Sequence, residues 1–94
     1  CMEKIKDVKI AMIVSAGKTI DYLKDNKNAI AEEIMAHVMR EVYAEGKAKR
    51  AAIASANFVI NYKRKNLSAS QKEIFHNLFD NTETILSSIE SDNY

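Results

Sequence analysis

Glu73 and His76 are the two residues whose spacing comes nearest to metal chemistry. They stand at i and i+3, the spacing used by the carboxylate sites of ferritin-like helical bundles. Such a site needs this pair twice, together with two further glutamates on facing helices. The other histidine, His37, has Glu33 and Glu41 four residues to either side, which is the wrong offset. We therefore expect a half-exposed His76, no bound metal and no other cofactor.

A second acidic and imidazole cluster, Glu33-His37-Glu41, forms a ladder along one face of a predicted helix. It could tune a proton relay, but i, i+4 pairs of this kind are more typical of a solvated helix face. With two histidines on different helices, general acid–base catalysis lacks a partner set. The sequence has no nucleophile–base motif, glycine-rich phosphate loop or zinc spacing. We expect a protein that is not an enzyme.

The basic cluster Lys63-Arg64-Lys65 has few acidic residues near it in the sequence. It could be a solubilising helix end or a weak attachment point for an anionic membrane surface, at roughly 1 kcal/mol for each cation near the lipid. It could also meet nucleic acid. That interpretation is disfavoured because the uncharged run Ala51–Tyr62 before the cluster is expected to be core, and because the net charge is only +1.

Charge is strongly segregated along the chain. Residues 1–46 carry −1, residues 47–67 carry +6 and residues 68–94 carry −4, which together give the net +1. The third and fourth predicted helices therefore attract each other, and this favours an antiparallel pair.

Hydrophobic spacing predicts an all-α protein, an antiparallel four-helix bundle in a single domain. The helices are expected at about 3–24, 29–45, 47–65 and 68–90. The 94 residues include no proline and two glycines, so little interrupts a helix. The third and fourth helices are expected to form the centre of the fold. No internal repeat is evident.

Local signals suggest where these helices begin and end. Asn28 is the expected N-cap of the second helix, Gly46 its C-terminal stop, and Ser68 with Gln71 a capping box for the fourth. Gly17, in the first helix, is expected to let a neighbouring helix approach closely.

Two groups of side chains have expected neighbours. The acidic residues Glu41 and Glu45 are expected to pair with the basic residues that follow Gly46, which are Lys47, Lys49 and Arg50. The methionines and phenylalanines are expected to pack in the core, although they could form an adaptable groove; they are Met12, Met35, Met39, Phe58, Phe75 and Phe79.

Cys1 precedes Met2, which suggests a native start at Met2 and a processing remnant before it. Whether Cys1 is native stays open, and a lipid-modified cysteine is the alternative. With a single cysteine no internal disulfide can form, so a reducing cytoplasm is the expected location.

The predicted third helix is uncharged in its middle, a basic, polar turn follows it, and the capped fourth helix reads Gln71-x-x-Ile74-x-x-x-Leu78. The predicted second helix contains Ile34-Met35-x-x-Val38-x-x-x-Val42-Tyr43. Over Ala29 to Ile89 these patterns resemble the immunity proteins of class IIa (pediocin-like) bacteriocins. The resemblance implies a cytoplasmic four-helix bundle that protects the producing bacterium. Such proteins are thought to act at the mannose phosphotransferase permease once the bacteriocin has engaged it.

The resemblance also implies where recognition lies, because specificity in that family resides in the C-terminal half. Together with the basic turn, it suggests a partner-binding set of Lys63, Arg64, Lys65, Asn66, Lys72, His76, Asn77, Asp80, Glu83 and Tyr94. The expected location is the cytoplasm, with peripheral association at the inner face of the membrane as an option, and the oligomeric state stays open. The alternative is a small helical regulatory module that dimerises or binds nucleic acid.

Overall fold

The computed structural model describes residues 3–91, which form five α-helices. They are α1 (Val8–Asp25), α2 (Ala31–Glu41), α3 (Gly46–Lys65), α4 (Gln71–Asp80) and α5 (Thr82–Ser91). The predicted all-α class is confirmed, but the prediction of four helices is wrong, because the predicted fourth helix is divided at Asn81. There the Asn81 amide donates to the carbonyl of Asn77 at 2.8 Å, so side chain and backbone compete for the same acceptor.

The first two helices are shorter than predicted because the segments beside them pair with each other. Asp7 caps α1 by accepting from the Ile10 N–H at 2.9 Å. Ahead of it, Ile5 forms an isolated parallel bridge with Ala44. The Ile5 N–H donates to the carbonyl of Tyr43 at 2.6 Å, and the Glu45 N–H donates to Ile5 at 3.2 Å. Ile5, Tyr43 and Glu45 therefore have backbone partners outside any helix.

The long helices α1 and α3 form the closest packed pair of the fold and run in the same direction. Both begin beside the bridge of Ile5 and Ala44, and both end near the contact of Lys24 with Gln71. Their contact is lined by small, fully buried residues, namely Ala11, Ser15, Ala16, Ala51, Ala52, Ser55 and Ala56. The prediction that α3 and the helix after it form the centre is wrong, since the centre is α1 against α3.

The chain contains an internal repeat of 40 residues, so the expectation of none is wrong. Adding 40 to a residue number in α1 or α2 gives its counterpart in α3 or α4. Identical pairs include Ala11 and Ala51, Ile13 and Ile53, Ser15 and Ser55, Ala16 and Ala56, Ile20 and Ile60, Tyr22 and Tyr62, Asn26 and Asn66, Ala29 and Ala69, Glu33 and Glu73, and Ile34 and Ile74.

Contacts and backbone angles repeat together with the sequence. The Tyr22 hydroxyl donates to Glu33 at 2.5 Å, and the Tyr62 hydroxyl donates to Glu73 at 2.5 Å. The C-cap Asn26 has φ −140° and ψ 68°, and its counterpart Asn66 has φ −135° and ψ 74°. Each half is thus a long helix, a turn built around an asparagine, and a shorter antiparallel helix. The two halves are related by an approximate two-fold rotation.

The core is divided into two clusters that follow this symmetry. One gathers Met12, Ala16, Ile20, Ala51, Val59, Ile74 and Leu78, and the other gathers Ala11, Ile34, Val38, Ala48, Ala52, Ala56 and Ile60. The predicted burial of the uncharged middle of α3 is confirmed: Ile60 is 3 % exposed, and Ile53 and Phe58 are half-buried. Among the other methionines and phenylalanines, Met12 is buried, Met35, Met39 and Phe75 are half-buried, and Phe79 is exposed.

Several local predictions are wrong. The N-cap of α2 is Ile30, not Asn28, and that of α4 is Ser70, not Ser68; the Ser70 hydroxyl accepts from the Glu73 N–H at 3.1 Å. Gly46 begins α3 instead of ending α2. At Gly17, a Cβ would meet nothing within 4 Å among residues 3–91, so none of the five helices described approaches there.

The ion pairs also differ from those expected across Gly46. Glu41 pairs with Lys18 at 3.8 Å, and Glu45 pairs with Lys6 at 3.8 Å. Lys47 forms its ion pair with Glu90 near the end of α5, and this ammonium lowers the pKa of the Glu90 carboxyl. All of these side chains are well exposed, so solvent screens each pair and leaves it little effect on stability.

Candidate functional site

Glu73 and His76, whose spacing suggested a metal site, each contact a different side chain. His76 lies on the surface with its Nε2 atom 3.3 Å from the Asp80 carboxylate, and Glu73 accepts from the Tyr62 hydroxyl. Over residues 3–91, no three His, Cys, Asp or Glu side chains gather closely enough to hold a metal ion. The hydrogen bond to Glu73, together with partial burial, raises the pKa of Tyr62.

The second candidate, the Glu33-His37-Glu41 ladder, is divided between partners on α1. Glu33 accepts from Tyr22, and the His37 ring stacks on the Tyr22 ring with 4.3 Å between centroids. Glu41 instead meets Lys18. The hydrogen bond to Glu33 and partial burial raise the pKa of Tyr22, as they do for its counterpart Tyr62. These contacts hold α2 against α1, and the ladder does not form one site.

The basic turn after α3 is partly tied into the fold. The Lys63 ammonium donates to the carbonyl of Ala69 at 2.9 Å, and the Asn66 amide donates to the carbonyl of Tyr62 at 3.0 Å. Arg64 and Lys65 are exposed and form no ion pair within residues 3–91. The turn therefore fixes its own shape with two of its polar residues and presents the other two to solvent.

A groove of about 480 Å³ opens beside this turn, where the ends of α1 and α3 meet the start of α4. Its apolar lining consists of Ile20, Leu23, Leu67, Ala69 and Ile74, and its polar lining of Lys24, Lys27, Lys63 and Gln71. Leu67 is 78 % exposed. We call this feature the lysine groove. Its size lies in the range of ligand-binding clefts.

Two lysines of the lysine groove meet neutral oxygen atoms. Lys24 donates to the neutral amide of Gln71 at 3.2 Å, and Lys63 donates to a backbone carbonyl. None of the three lysines forms an ion pair with the carboxylates that the structure describes. Because a carbonyl or amide oxygen leaves the positive charge in place, the groove attracts anionic groups.

The predicted partner-binding residues do not form one surface. Lys63 lines the lysine groove, and Arg64, Lys65 and Asn66 lie beside it. Lys72 and His76 lie on a shallow surface with Phe75 and Phe79, and Glu83 lines a second groove between α1 and the α4–α5 junction. Asn77 donates to the Tyr62 hydroxyl at 3.0 Å and Asp80 pairs with His76, so both have partners inside the fold. Tyr94 lies outside the described residues.

Sequence reasoning missed four residues of the lysine groove: Lys24, Lys27, Leu67 and Gln71. Lys24 lies in the last turn of α1 and Lys27 in the loop that follows, far from the basic cluster in sequence, and the repeat would have revealed the relation. In the repeat, Lys24 is the counterpart of Arg64 and Lys27 of Leu67, so the two asparagine turns are equivalent corners of the fold.

No family model, curated protein or solved structure matches the chain. The geometry of the site and the resemblance of the helical patterns are therefore the two indications of function. Of the five helices, in the part of the chain described, none is both long and apolar enough to cross a membrane.

Proposed function

We propose that this chain acts by binding a partner protein, with the lysine groove and the adjoining Arg64 and Lys65 as its contact surface. The observation that carries this proposal is that the exposed Leu67 and the apolar floor of the groove lie beside three lysines that form no ion pair within residues 3–91. Apolar surface supplies most of the affinity in such contacts, while complementary charge steers the encounter and selects the partner. No bond is made or broken in this function.

The resemblance to class IIa bacteriocin immunity proteins supplies the identity of the partner. The all-helical fold supports this proposal, although α4 and α5, with only Asn81 between them, stand where the resemblance implies one helix. The proposed partner is a bacteriocin-engaged mannose phosphotransferase permease, approached from the cytoplasm. The protein would dock on it as a rigid helical wedge with its basic end forward.

The same basic end favours weak attraction to the inner membrane surface. Five cations lie at this end of the fold: Lys24, Lys27, Lys63, Arg64 and Lys65. Near anionic lipid each contributes roughly 1 kcal/mol, which is enough for reversible attachment that raises the local concentration near a membrane protein.

Protection of a sensitive bacterial strain tests the proposal. The chain, expressed in that strain, is challenged with a panel of class IIa bacteriocins, and we expect resistance to a narrow group of them. The variant with Arg64→Gln and Lys65→Gln should lose most of this resistance. The matched control is the variant with Lys49→Gln and Arg50→Gln, because these exposed cations lie at the opposite end of α3. Absence of protection across the whole panel contradicts the proposal.

Binding to duplex DNA distinguishes the proposed function from the alternative, a nucleic-acid-binding module. Cationic surfaces that bind phosphates show affinity that falls steeply with salt. Tight DNA binding with such a slope, in a protein that gives no protection, would favour the alternative.

A further inference from the structure

The repeat shows what is unusual about the space between α1 and α4. Under the two-fold relation this pair is the counterpart of α3 and α2. The helix α2 packs closely on α3, whereas the backbones of α1 and α4 stay farther apart. The side chains give the reason, because the counterparts of Ala48 and Ala52 on α3 are the larger Val8 and Met12 on α1. The bulkier side chains hold α4 away from α1.

Two openings remain along this gap. One is the lysine groove, and the other has a volume of about 330 Å³ and is lined by Lys9, Met12, Ile13, Leu78, Phe79, Thr82 and Glu83. The side chains at its rim are not covered, since Ile13 is 45 % exposed and Phe79 is 53 % exposed. Large apolar side chains exposed beside a groove mark a surface that gains stability when another element covers it.

We propose that the α1–α4 gap binds an amphipathic helix of a partner protein, with acidic residues in the first turn of that helix. Ile13 and Leu23, one in each opening, are ten residues apart on α1, a distance of about 15 Å. A helix lying along the gap would therefore contribute about three turns, with apolar side chains at i, i+3, i+4 and i+7. The inference rests on the proposed function in that the lysine groove is part of the same surface.

Charge sets the direction of the bound helix. Lys24, Lys27 and Lys63 gather at one end of the gap, while Lys9 and Glu83 give the other end charges of both signs. Acidic residues are favoured in the first turn of a helix, where they meet the positive end of its dipole. The N-terminus of the bound helix therefore lies at the lysine groove, and the helix runs antiparallel to α1.

Synthetic helical peptides of about 14 residues test the inference with the intact chain. The first has three acidic residues in its first turn and the apolar spacing given above. The second has the same composition with the acidic residues moved to its last turn. We expect fluorescence anisotropy to show that the first binds at least about tenfold more tightly than the second. Equal affinity, or no binding of the first peptide, overturns the inference.

Variants of exposed residues show whether the peptide occupies the gap. Ile13→Ser and Phe79→Ser should each weaken binding of the first peptide by about tenfold. Ile30→Ser is the matched control, because Ile30 is 60 % exposed and lines neither opening. If the control weakens binding as much as the other two variants, the peptide binds elsewhere. Circular dichroism should show unchanged helix content in all three.

A charge-reversal variant tests the inference independently of the serine variants. The variant with Lys24→Glu and Lys27→Glu should not bind the acidic peptide. It should instead bind a peptide that has lysines in place of the three acidic residues. Failure of this exchange overturns the direction of the bound helix. Self-association of the chain, measured by sedimentation and abolished by Phe79→Ser, would show that a second copy covers the gap instead.

The two proposals fail separately. Protection in the cell without peptide binding overturns the helix as occupant and leaves the immunity function standing. Peptide binding without protection leaves the docking surface standing and overturns the cellular function.

Discussion

Ser15 and Ser55 each donate a hydroxyl hydrogen to a backbone carbonyl on the other's helix. Ser15 donates to Ala52 at 2.6 Å, and Ser55 donates to Met12 at 2.7 Å. Both serines are fully buried, and each acceptor lies three residues before the other serine. These two reciprocal hydrogen bonds follow the approximate two-fold rotation, and they lie where its two halves come closest together. They satisfy two buried hydroxyls where α1 and α3 pack with little side-chain bulk between them.

Removal of either hydroxyl should cost the same free energy of unfolding, because the two sites are equivalent. We expect Ser15→Ala and Ser55→Ala each to destabilise by about 1 kcal/mol, the net value of one buried hydrogen bond. Each acceptor carbonyl keeps its bond within its own helix, so no larger penalty arises. Urea denaturation measures the difference. Ser87→Ala, on an exposed part of α5, is the control and should stay within about 0.5 kcal/mol. A difference above about 1 kcal/mol between the two buried sites would contradict their equivalence.

Sequence reasoning could predict the helical class and the buried middle of α3, because both follow from a pattern within single segments. It could not predict the true ends of α1 and α2. Ile5 continues the spacing of the first helix, yet its backbone pairs with Tyr43 and Glu45, which are far away in sequence. A tertiary backbone pairing of this kind leaves no periodic signal.

The repeat and the lysine groove were missed for a related reason. The identical pairs are scattered along the chain, and some core positions differ between the halves, as Met12 and Ala52 do. Hydrophobic periodicity records whether a position is apolar and not which residue occupies it, so it does not reveal the similarity. The groove combines lysines from two turns, and only the fold brings those turns together. The basic cluster at Lys63–Lys65 could be predicted because it is contiguous.

Gly17 is a site where a simple substitution should stabilise the protein. It lies inside α1, and an added Cβ would meet no atom of the described part of the chain within 4 Å. Alanine lowers the entropy of the unfolded chain and suits a helix, so Gly17→Ala should raise the free energy of unfolding by about 0.5–1 kcal/mol. Thermal unfolding followed by circular dichroism measures this change. A lower midpoint would show that some element does approach α1 at this position.

Gly46 should respond to the same substitution in the opposite direction. Its φ of +58° lies in the left-handed region, although nothing crowds the place where a Cβ would be. Gly46→Ala should therefore destabilise by about 1–2 kcal/mol through backbone strain alone. Gly46→Asn is the matched control and should cost less, because asparagine tolerates this region better. Equal losses for the two variants in urea denaturation would argue against strain at φ as the cause.

The paired tyrosines should make stability fall at high pH. Tyr22 and Tyr62 each donate to a glutamate, and this bond with partial burial raises both pKa values above the usual 10.0. A raised pKa in the folded state means that the stabilising contribution is complete below the usual pKa and is lost as pH rises through the folded value. The variant with Tyr22→Phe and Tyr62→Phe should be less stable at neutral pH and lose less stability toward high pH. Tyr43→Phe, at a site 50 % exposed, is the control. Unfolding midpoints measured from neutral to high pH test this prediction. If the midpoints of the double variant and of the parent protein fall in parallel as pH rises, the two hydrogen bonds have no such role.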